Sequence, residues 1–206
     1  MSLAPWLDAC PIVAILRGVQ PEEVEAIASA LIHEGLNIIE VPLNSPRPLE
    51  SIRRLHSAFA ERALVGAGTV TTEDEVAAIV RAGAKLMVTP HCDPDLVRAA
   101  RARGLIACPG FMTPAEAFAL LAAGADALKL FPAEAVSPAV VKALLAVLPR
   151  GTAILPVGGM SAETIPAWKA AGAAGFGVGS SLYAPGDSPA AVGAKARALR
   201  SALGLG

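Results

Sequence analysis

The chain is poor in the residues that staple or metallate a fold. Its 206 residues include three cysteines, Cys10, Cys92 and Cys108, and three histidines, His33, His56 and His91. An odd number of widely spaced cysteines makes neither a disulfide framework nor a zinc site, and it reads as reduced intracellular thiols. The histidines form no metal cluster either. His33 and His56 fall on predicted helices at the surface, and His91 follows the fourth predicted strand, where it could face a substrate. Excess charge of one sign is also missing: seventeen basic and eighteen acidic residues give a formal charge of -1. No basic field exists to hold a nucleic acid backbone nonspecifically. No apolar run reaches the ~18 residues that a membrane span needs. The first ten residues carry Asp8 and no basic cluster, so no secretory signal is expected. No linker or composition shift divides the chain, which predicts one domain over residues 1–206.

What the chain does have is alanine, leucine and valine, in a composition that is 54% hydrophobic. Short apolar runs alternate with helical patterns. Strands are predicted at 12–16, 38–41, 63–67, 86–89, 105–108, 127–131, 153–156 and 175–178. Helices are predicted at 21–34, 48–60, 72–82, 94–103, 114–123, 138–147, 162–171 and 189–203. Several helices open with proline, which suits the first turn. Thr113 with Glu116 makes a capping box. Gly35, Gly83, Gly104, Gly124 and Gly172 follow helices, where a left-handed C-cap favours glycine. Eight strand–helix units in this length fit a (β/α)8 TIM barrel. The alternative is an open doubly wound sheet, which usually carries a nucleotide-binding glycine loop after its first strand. Here Leu16-Arg17-Gly18-Val19-Gln20-Pro21 has one glycine, and the GxG in Gly66-Ala67-Gly68-Thr69 follows the third strand.

In a barrel of this kind the C-terminal strand ends carry the chemistry. Those ends read Arg17, Glu40, Thr69, Pro90, Pro109, Lys129, Gly158-Gly159 and Gly179-Ser180-Ser181. Lys129 stands in the apolar run Ala127-Leu128-Lys129-Leu130-Phe131-Pro132-Ala133. A central parallel strand should be almost continuously hydrophobic, and an unpaired buried charge tends to neutralise. A neutral amine can attack a ketone and form a Schiff base. A free lysine is neutral only about once in ~2500 at pH 7, so burial or a nearby Arg17 must lower its pKa. The competing reading is a strand-end lysine whose amine reaches out to water. Glu40 is the only acidic residue among those ends and could move the protons; its competing reading is a structural pair with Lys129 or Arg17. Thr69 could instead cap the next helix, and Gly158-Gly159 could be only a tight turn. As a phosphate site, the two late glycine loops would use backbone N–H groups. An iminium is itself an electron sink, so no metal or other cofactor is required.

The sequence resembles the class I bacterial aldolases that split 2-keto-3-deoxy-6-phospho sugar acids. The motifs that carry the likeness are Ile15-Leu16-Arg17-Gly18, Ile39-Glu40-Val41-Pro42-Leu43-Asn44-Ser45-Pro46, Gly66-Ala67-Gly68-Thr69-Val70, Val88-Thr89-Pro90, Cys108-Pro109-Gly110, Leu128-Lys129-Leu130-Phe131-Pro132, Pro156-Val157-Gly158-Gly159 and Gly177-Val178-Gly179-Ser180. The resemblance implies that Lys129 forms the Schiff base and that Glu40 is the general acid/base. It implies that Thr69 contacts the pyruvate carboxylate, with Arg17, Pro90 and Asn44 as further positioning residues. It places the phosphate at Gly158, Gly159, Gly179 and Ser180. It also implies a small phosphorylated keto-acid substrate, a homotrimer and a cytoplasmic location.

Two departures separate branches of that family. The gluconate branch carries a threonine-leucine-arginine-threonine run after the glutamate and a threonine before the paired glycines. This chain has Pro42-Leu43-Asn44-Ser45-Pro46 and Val157, as the galactonate branch does. Asn44 removes an arginine that holds the substrate carboxylate in the gluconate branch, which makes Arg17 a more important candidate. Val157 removes a possible hydrogen bond to the C4 hydroxyl, worth ~1–3 kcal/mol. A phosphosugar isomerase or epimerase on a similar barrel is the reading from another class; it needs no Schiff-base lysine.

Overall fold

Among the described residues, all nine strands are short, parallel and buried along their whole length. They are β1 (Ile12–Ile15), β2 (Ile38–Pro42), β3 (Leu64–Gly68), β4 (Leu86–Val88), β5 (Ile106–Cys108), β6 (Gly110–Phe111), β7 (Leu128–Leu130), β8 (Ile154–Pro156) and β9 (Phe176–Val178). The structure, a computed structural model, describes residues 2–205. Its helices are α1 (Ala4–Ala9), α2 (Val24–His33), α3 (Pro48–Phe59), α4 (Glu73–Arg81), α5 (Pro94–Ala102), α6 (Pro114–Ala122), α7 (Ala139–Leu145), α8 (Ile165–Ala170) and α9 (Pro189–Ala202). Burial on both faces is what made these strands apolar runs in the sequence, broken by a charge at Glu40 in β2 and Lys129 in β7.

The strands form a six-stranded sheet, β5-β4-β3-β2-β1-β9, and a three-stranded sheet, β6-β7-β8. The two sheets meet at two seams. At one, Pro109 follows the fifth strand, which the sequence predicts to end at residue 108; proline has no N–H for the ladder, and pairing resumes beyond it at Gly110–Phe111. Gly110 beyond it donates its N–H to Thr89 Oγ1 at 3.1 Å. At the other seam a single parallel bridge joins Val157 to Gly177. A methyl group on Gly177 would lie 2.6 Å from Val157 Cγ2, so glycine permits that approach. The ring is therefore TIM-barrel-like, and its closure is partial.

Period-2 alternation sorts the strand residues into two cores. Ile12, Ala14, Ile39, Val65 and Met87 face the helices. Val13, Ile38, Leu64, Leu86, Ile106, Ala127 and Leu155 fill the barrel interior, with Leu3 and Leu7 beside them. Those two leucines flank or belong to α1, a helix outside the predicted alternation. It plugs the N-terminal end of the barrel, where Leu7 lies against Gly175 just before β9, and Leu3 reaches up to the enclosed space that Lys129 and Glu40 line. Helix ends follow the sequence closely. The Thr113–Glu116 capping box is present, and Thr72 with Glu75 makes a second one. Two helices start late: α2 at Val24, not residue 21, and α8 at Ile165, not residue 162. In each, a side chain three residues on closes a turn first: Glu23 Oε1 accepts from Gln20 N–H, and Thr164 Oγ1 accepts from Ser161 N–H.

Candidate active site

Inward-pointing positions recur every second residue, so Glu40 follows Ile38 onto the barrel interior and Lys129 follows Ala127. Glu40 is 2% exposed and Lys129 is 6% exposed. Together with Cys108, Val88, Ile15 and Val157 they line a small enclosed space above the inner core. A methyl group on Gly68, at the end of β3, would fall inside the Glu40 carboxylate. Glycine there is the room in which that carboxylate sits. Glu40 Oε2 has no hydrogen-bond partner, and Glu40 makes no ion pair among the described residues. The structural-pair reading of Glu40 is thus not what the geometry shows.

Burial is the largest influence on both groups. It pushes the Glu40 carboxyl above the ordinary carboxylate range, against the smaller pull of Lys129 and Arg17. It pushes the Lys129 amine below the ordinary lysine range, with Glu40 and Cys108 acting to raise it and Arg17 adding to the fall. Each shift favours the neutral form, as desolvation requires. Lys129 does not escape to water as a surface amine would; its Nζ lies 4.7 Å from the centroid of the Phe131 ring. Cys108 shares this space, but burial pushes its thiol up to about 12. At neutral pH it is a thiol, and thiols are poor nucleophiles.

Above this dry floor opens a cleft of about 640 Å³. Arg17, Val157, Gly158, Gly159, Gly179 and Ser180 line it, and Ile15 and Val157 line both the cleft and the enclosed space. Gly158 and Gly159 take φ of 107° and 68°, two successive left-handed residues that side chains would strain. Among the described residues, nothing accepts a hydrogen bond from the N–H of Gly159 or Ser180, while Gly158 N–H faces Gly177 across the bridge. The two loops are tied together, since Ser181 Oγ donates to Met160 O at 2.6 Å. Tyr183, at the back of the cleft, donates its hydroxyl to Glu23 Oε1 at 2.8 Å, which fixes the second loop to the turn before α2.

The remaining predicted residues sit around this centre. Arg17 is exposed at the rim, and its Nη1 donates to Asn44 Oδ1 at 2.5 Å. Gly18 N–H donates to Ser45 Oγ at 3.0 Å, so the loops after β1 and β2 are zipped by two bonds. Asn44 therefore holds an arginine where the gluconate branch would present one. Thr69 is half-buried just beyond β3, with φ 58°. It does not cap α4, because Thr72 does. Pro90 is half-buried, and its carbonyl carbon would lie 2.6 Å from a methyl group on Gly110, the ladder partner of Lys129. Thr69, Pro90 and Asn44 do not line the cleft itself. His91 and His33 are exposed, and His56 is half-buried. Sequence reading missed Gly68, Phe131, Tyr183 and Glu134. Phe131 and Gly68 were in view as parts of motifs, but only the folded geometry brings Phe131 to the Lys129 amine or Gly68 to the Glu40 carboxylate.

Comparison with known proteins agrees with this geometry. Residues 4–188 match the family model described as "KDPG and KHG aldolase". The chain is 45% identical over 183 residues to the 2-dehydro-3-deoxy-6-phosphogalactonate aldolase of Escherichia coli (strain K12), covering 89% of each chain. It is 45% identical over 178 residues to a probable 2-dehydro-3-deoxy-6-phosphogalactonate aldolase of Rhizobium meliloti (strain 1021), covering 86% of this chain and 84% of that one. A solved structure described as native KDPGal superimposes with a TM-score of 0.92 at 44% identity, covering 94% of both chains. With a buried amine and a buried carboxylate facing one dry space below a cleft of free N–H donors, the chain belongs to the KDPG and KHG aldolase family.

Proposed function

We propose that the protein is a class I aldolase that reversibly cleaves 2-dehydro-3-deoxy-6-phospho-D-galactonate to pyruvate and D-glyceraldehyde 3-phosphate. The observation that carries this reading is Lys129, buried and held toward its neutral form beside an unpaired Glu40. The neutral amine adds to the C2 ketone, and the carbinolamine loses water to give an iminium. Glu40 takes the proton of the C4 hydroxyl. The C3–C4 electron pair then moves toward the iminium nitrogen, leaving an enamine and releasing the aldehyde. The proton on Glu40 passes to C3, and water hydrolyses the pyruvyl iminium to free Lys129. The iminium supplies the electron sink, so the route needs no metal.

Thr69 and Arg17 are the proposed partners of the substrate carboxylate, with Asn44 acting through Arg17 and Pro90 shaping the wall beside Lys129. The free N–H groups of Gly159 and Ser180, with Gly158 and Gly179 shaping the two loops, suit the phosphate. Val157 and Asn44 favour the galactonate epimer over the gluconate one. The reading also takes the chain as one aldolase domain, a homotrimer and cytoplasmic; among the described residues no helix is long and apolar enough to cross a membrane. Pyruvate and borohydride test the chemistry. The reduced adduct should map to Lys129 by mass spectrometry. An adduct on Lys85 or Lys142, or none, would remove Lys129 from the mechanism, and Lys129→Ala should lose essentially all Schiff-base turnover.

A further inference from the structure

Glu134 is the one carboxylate on the cleft wall, and the only other charged residue there is Arg17. It lies in the 3-10 turn Ala133–Ala135, just after β7, and is exposed. A methyl group on Gly158 would lie 2.9 Å from Glu134 Oε2, and one on Gly159 would lie 3.5 Å from it. The carboxylate thus rests on the paired glycines. Among the described residues it pairs with no cation and no donor, and Arg17 is bonded to Asn44. An unpaired anion beside N–H groups suited to a phosphate is a liability, unless it also binds something. Gly158 follows Val157, whose side chain lines both the cleft and the enclosed space at Lys129, so the carboxylate stands beside the stretch of wall that joins the Lys129 end to the rim. A substrate that spans those two ends must pass its hydroxyl-bearing carbons through that stretch. Carboxylates accept short, strong hydrogen bonds from hydroxyls.

We propose that Glu134 accepts a hydrogen bond from the hydroxyl next to the phosphorylated carbon, the 2-hydroxyl of the aldehyde product, and so selects hydroxylated over deoxygenated phosphoaldehydes. This rests on the aldolase reading above. The same carboxylate opposes the phosphate, so its two effects have opposite signs and can be separated.

The test is aldol addition of pyruvate to D-glyceraldehyde 3-phosphate and to its 2-deoxy analogue, 3-oxopropyl phosphate. The wild type should favour the hydroxylated aldehyde by roughly 10- to 100-fold in kcat/KM, the range of a hydrogen bond to a charged group. Glu134→Ala should lose most of that preference while addition to the deoxy aldehyde holds or rises. Glu134→Gln keeps a carbonyl acceptor and should retain part of it. Inorganic phosphate should inhibit both variants more strongly than the wild type, and equal inhibition would put the carboxylate off the anion's path and overturn the geometry. A wild type without the preference, or a preference unchanged in both variants, overturns the proposal. Borohydride trapping with pyruvate alone separates the two readings: a wild type that gives no adduct strikes the aldolase mechanism, whereas an intact adduct with an unchanged preference strikes Glu134.

Discussion

The floor and the rim of the site solve opposite problems. At the floor, the working groups are side chains, Lys129 and Glu40, and the backbone steps aside for them at Gly68. Their environment is dry, and dryness moves both pKa values toward the neutral forms. At the rim, the available donors are backbone N–H groups of Gly159 and Ser180, and the paired glycines bring no side chain of their own. The rim is open to water, so it can hold an anion by orientation without altering any protonation state. Covalent chemistry needs a shifted pKa, which burial supplies; phosphate recognition needs aimed donors, which turn geometry supplies. If that division is right, floor variants should damage Schiff-base chemistry and rim variants should damage only the use of phosphorylated substrates.

The largest effect is expected at Glu40. Glu40→Gln keeps the shape and removes the base, so kcat for cleavage should fall by ~10²–10⁴. The change also removes a negative charge that holds the Lys129 pKa up. The acidic limb of the pyruvate-trapping profile should therefore move to lower pH. Gly68→Ala should act through the same carboxylate without removing it, displacing it and lowering kcat on the order of 10²-fold, the cost of a small misplacement. Single-turnover cleavage and a trapping profile against pH, on proteins checked for folding by thermal melting, measure both. A Glu40→Gln protein with near-normal kcat would end the proton-transfer role.

Much of the floor was legible in the sequence, and little of the rim's detail was. A charge within an apolar parallel strand is visible as a letter, so Lys129 and Glu40 stood out. The eight strand–helix units were legible for a related reason: burial on both faces leaves few polar letters inside a strand, and Glu40 and Lys129 are the charged ones. The capping glycines were legible too, and Gly35, Gly83, Gly104, Gly124 and Gly172 all take positive φ. The plug α1 was not, because six residues carry no period and its use depends on the open end of a barrel formed far along the chain. The break at Pro109 was read as a strand end, though Gly110–Phe111 resumes pairing beyond it. Asn44 looked like a missing arginine, and only folding brings it to Arg17 across 27 residues. Glu134 drew no reading from the sequence, since nothing in Pro132-Ala133-Glu134-Ala135 points to glycines more than twenty positions away.

At the rim the expected effect is large on one quantity and absent on another. The unphosphorylated substrate should be poorer in kcat/KM by roughly 10²-fold or more, because several hydrogen bonds to a charged group are lost together. Gly159→Asp puts a like charge beside the phosphate and a side chain on a left-handed residue, and it should show the same loss with the phosphorylated substrate. Both should leave the pyruvate adduct on Lys129 unchanged in yield and position. Equal efficiency with and without phosphate would dissolve the rim as an anion site. A Gly159→Asp protein that folds yet fails to trap pyruvate would show instead that floor and rim are not independent.

Val157 belongs to both regions, and so the smallest effect expected is the one that bears most closely on substrate choice. Its side chain lines the enclosed space and the cleft, and its backbone is fixed on both sides: its N–H donates to Leu130 O at 3.0 Å and its carbonyl accepts from Ala133 N–H at 2.9 Å. Val157→Thr should therefore exchange one methyl for a hydroxyl with little movement of the chain. That hydroxyl can bond the C4 hydroxyl of one epimer and finds no new partner in the other. The ratio of kcat/KM for the gluconate epimer to that for the galactonate epimer should rise by roughly 1–2 kcal/mol, about 5- to 30-fold. Without substrate the new hydroxyl sits in an apolar seam, so a small loss of thermal stability should accompany the gain, as buried unpaired hydroxyls cost free energy. If the wild type cleaves both epimers equally and Val157→Thr leaves the ratio where it was, epimer choice does not run through this position, and the chain is an aldolase for both.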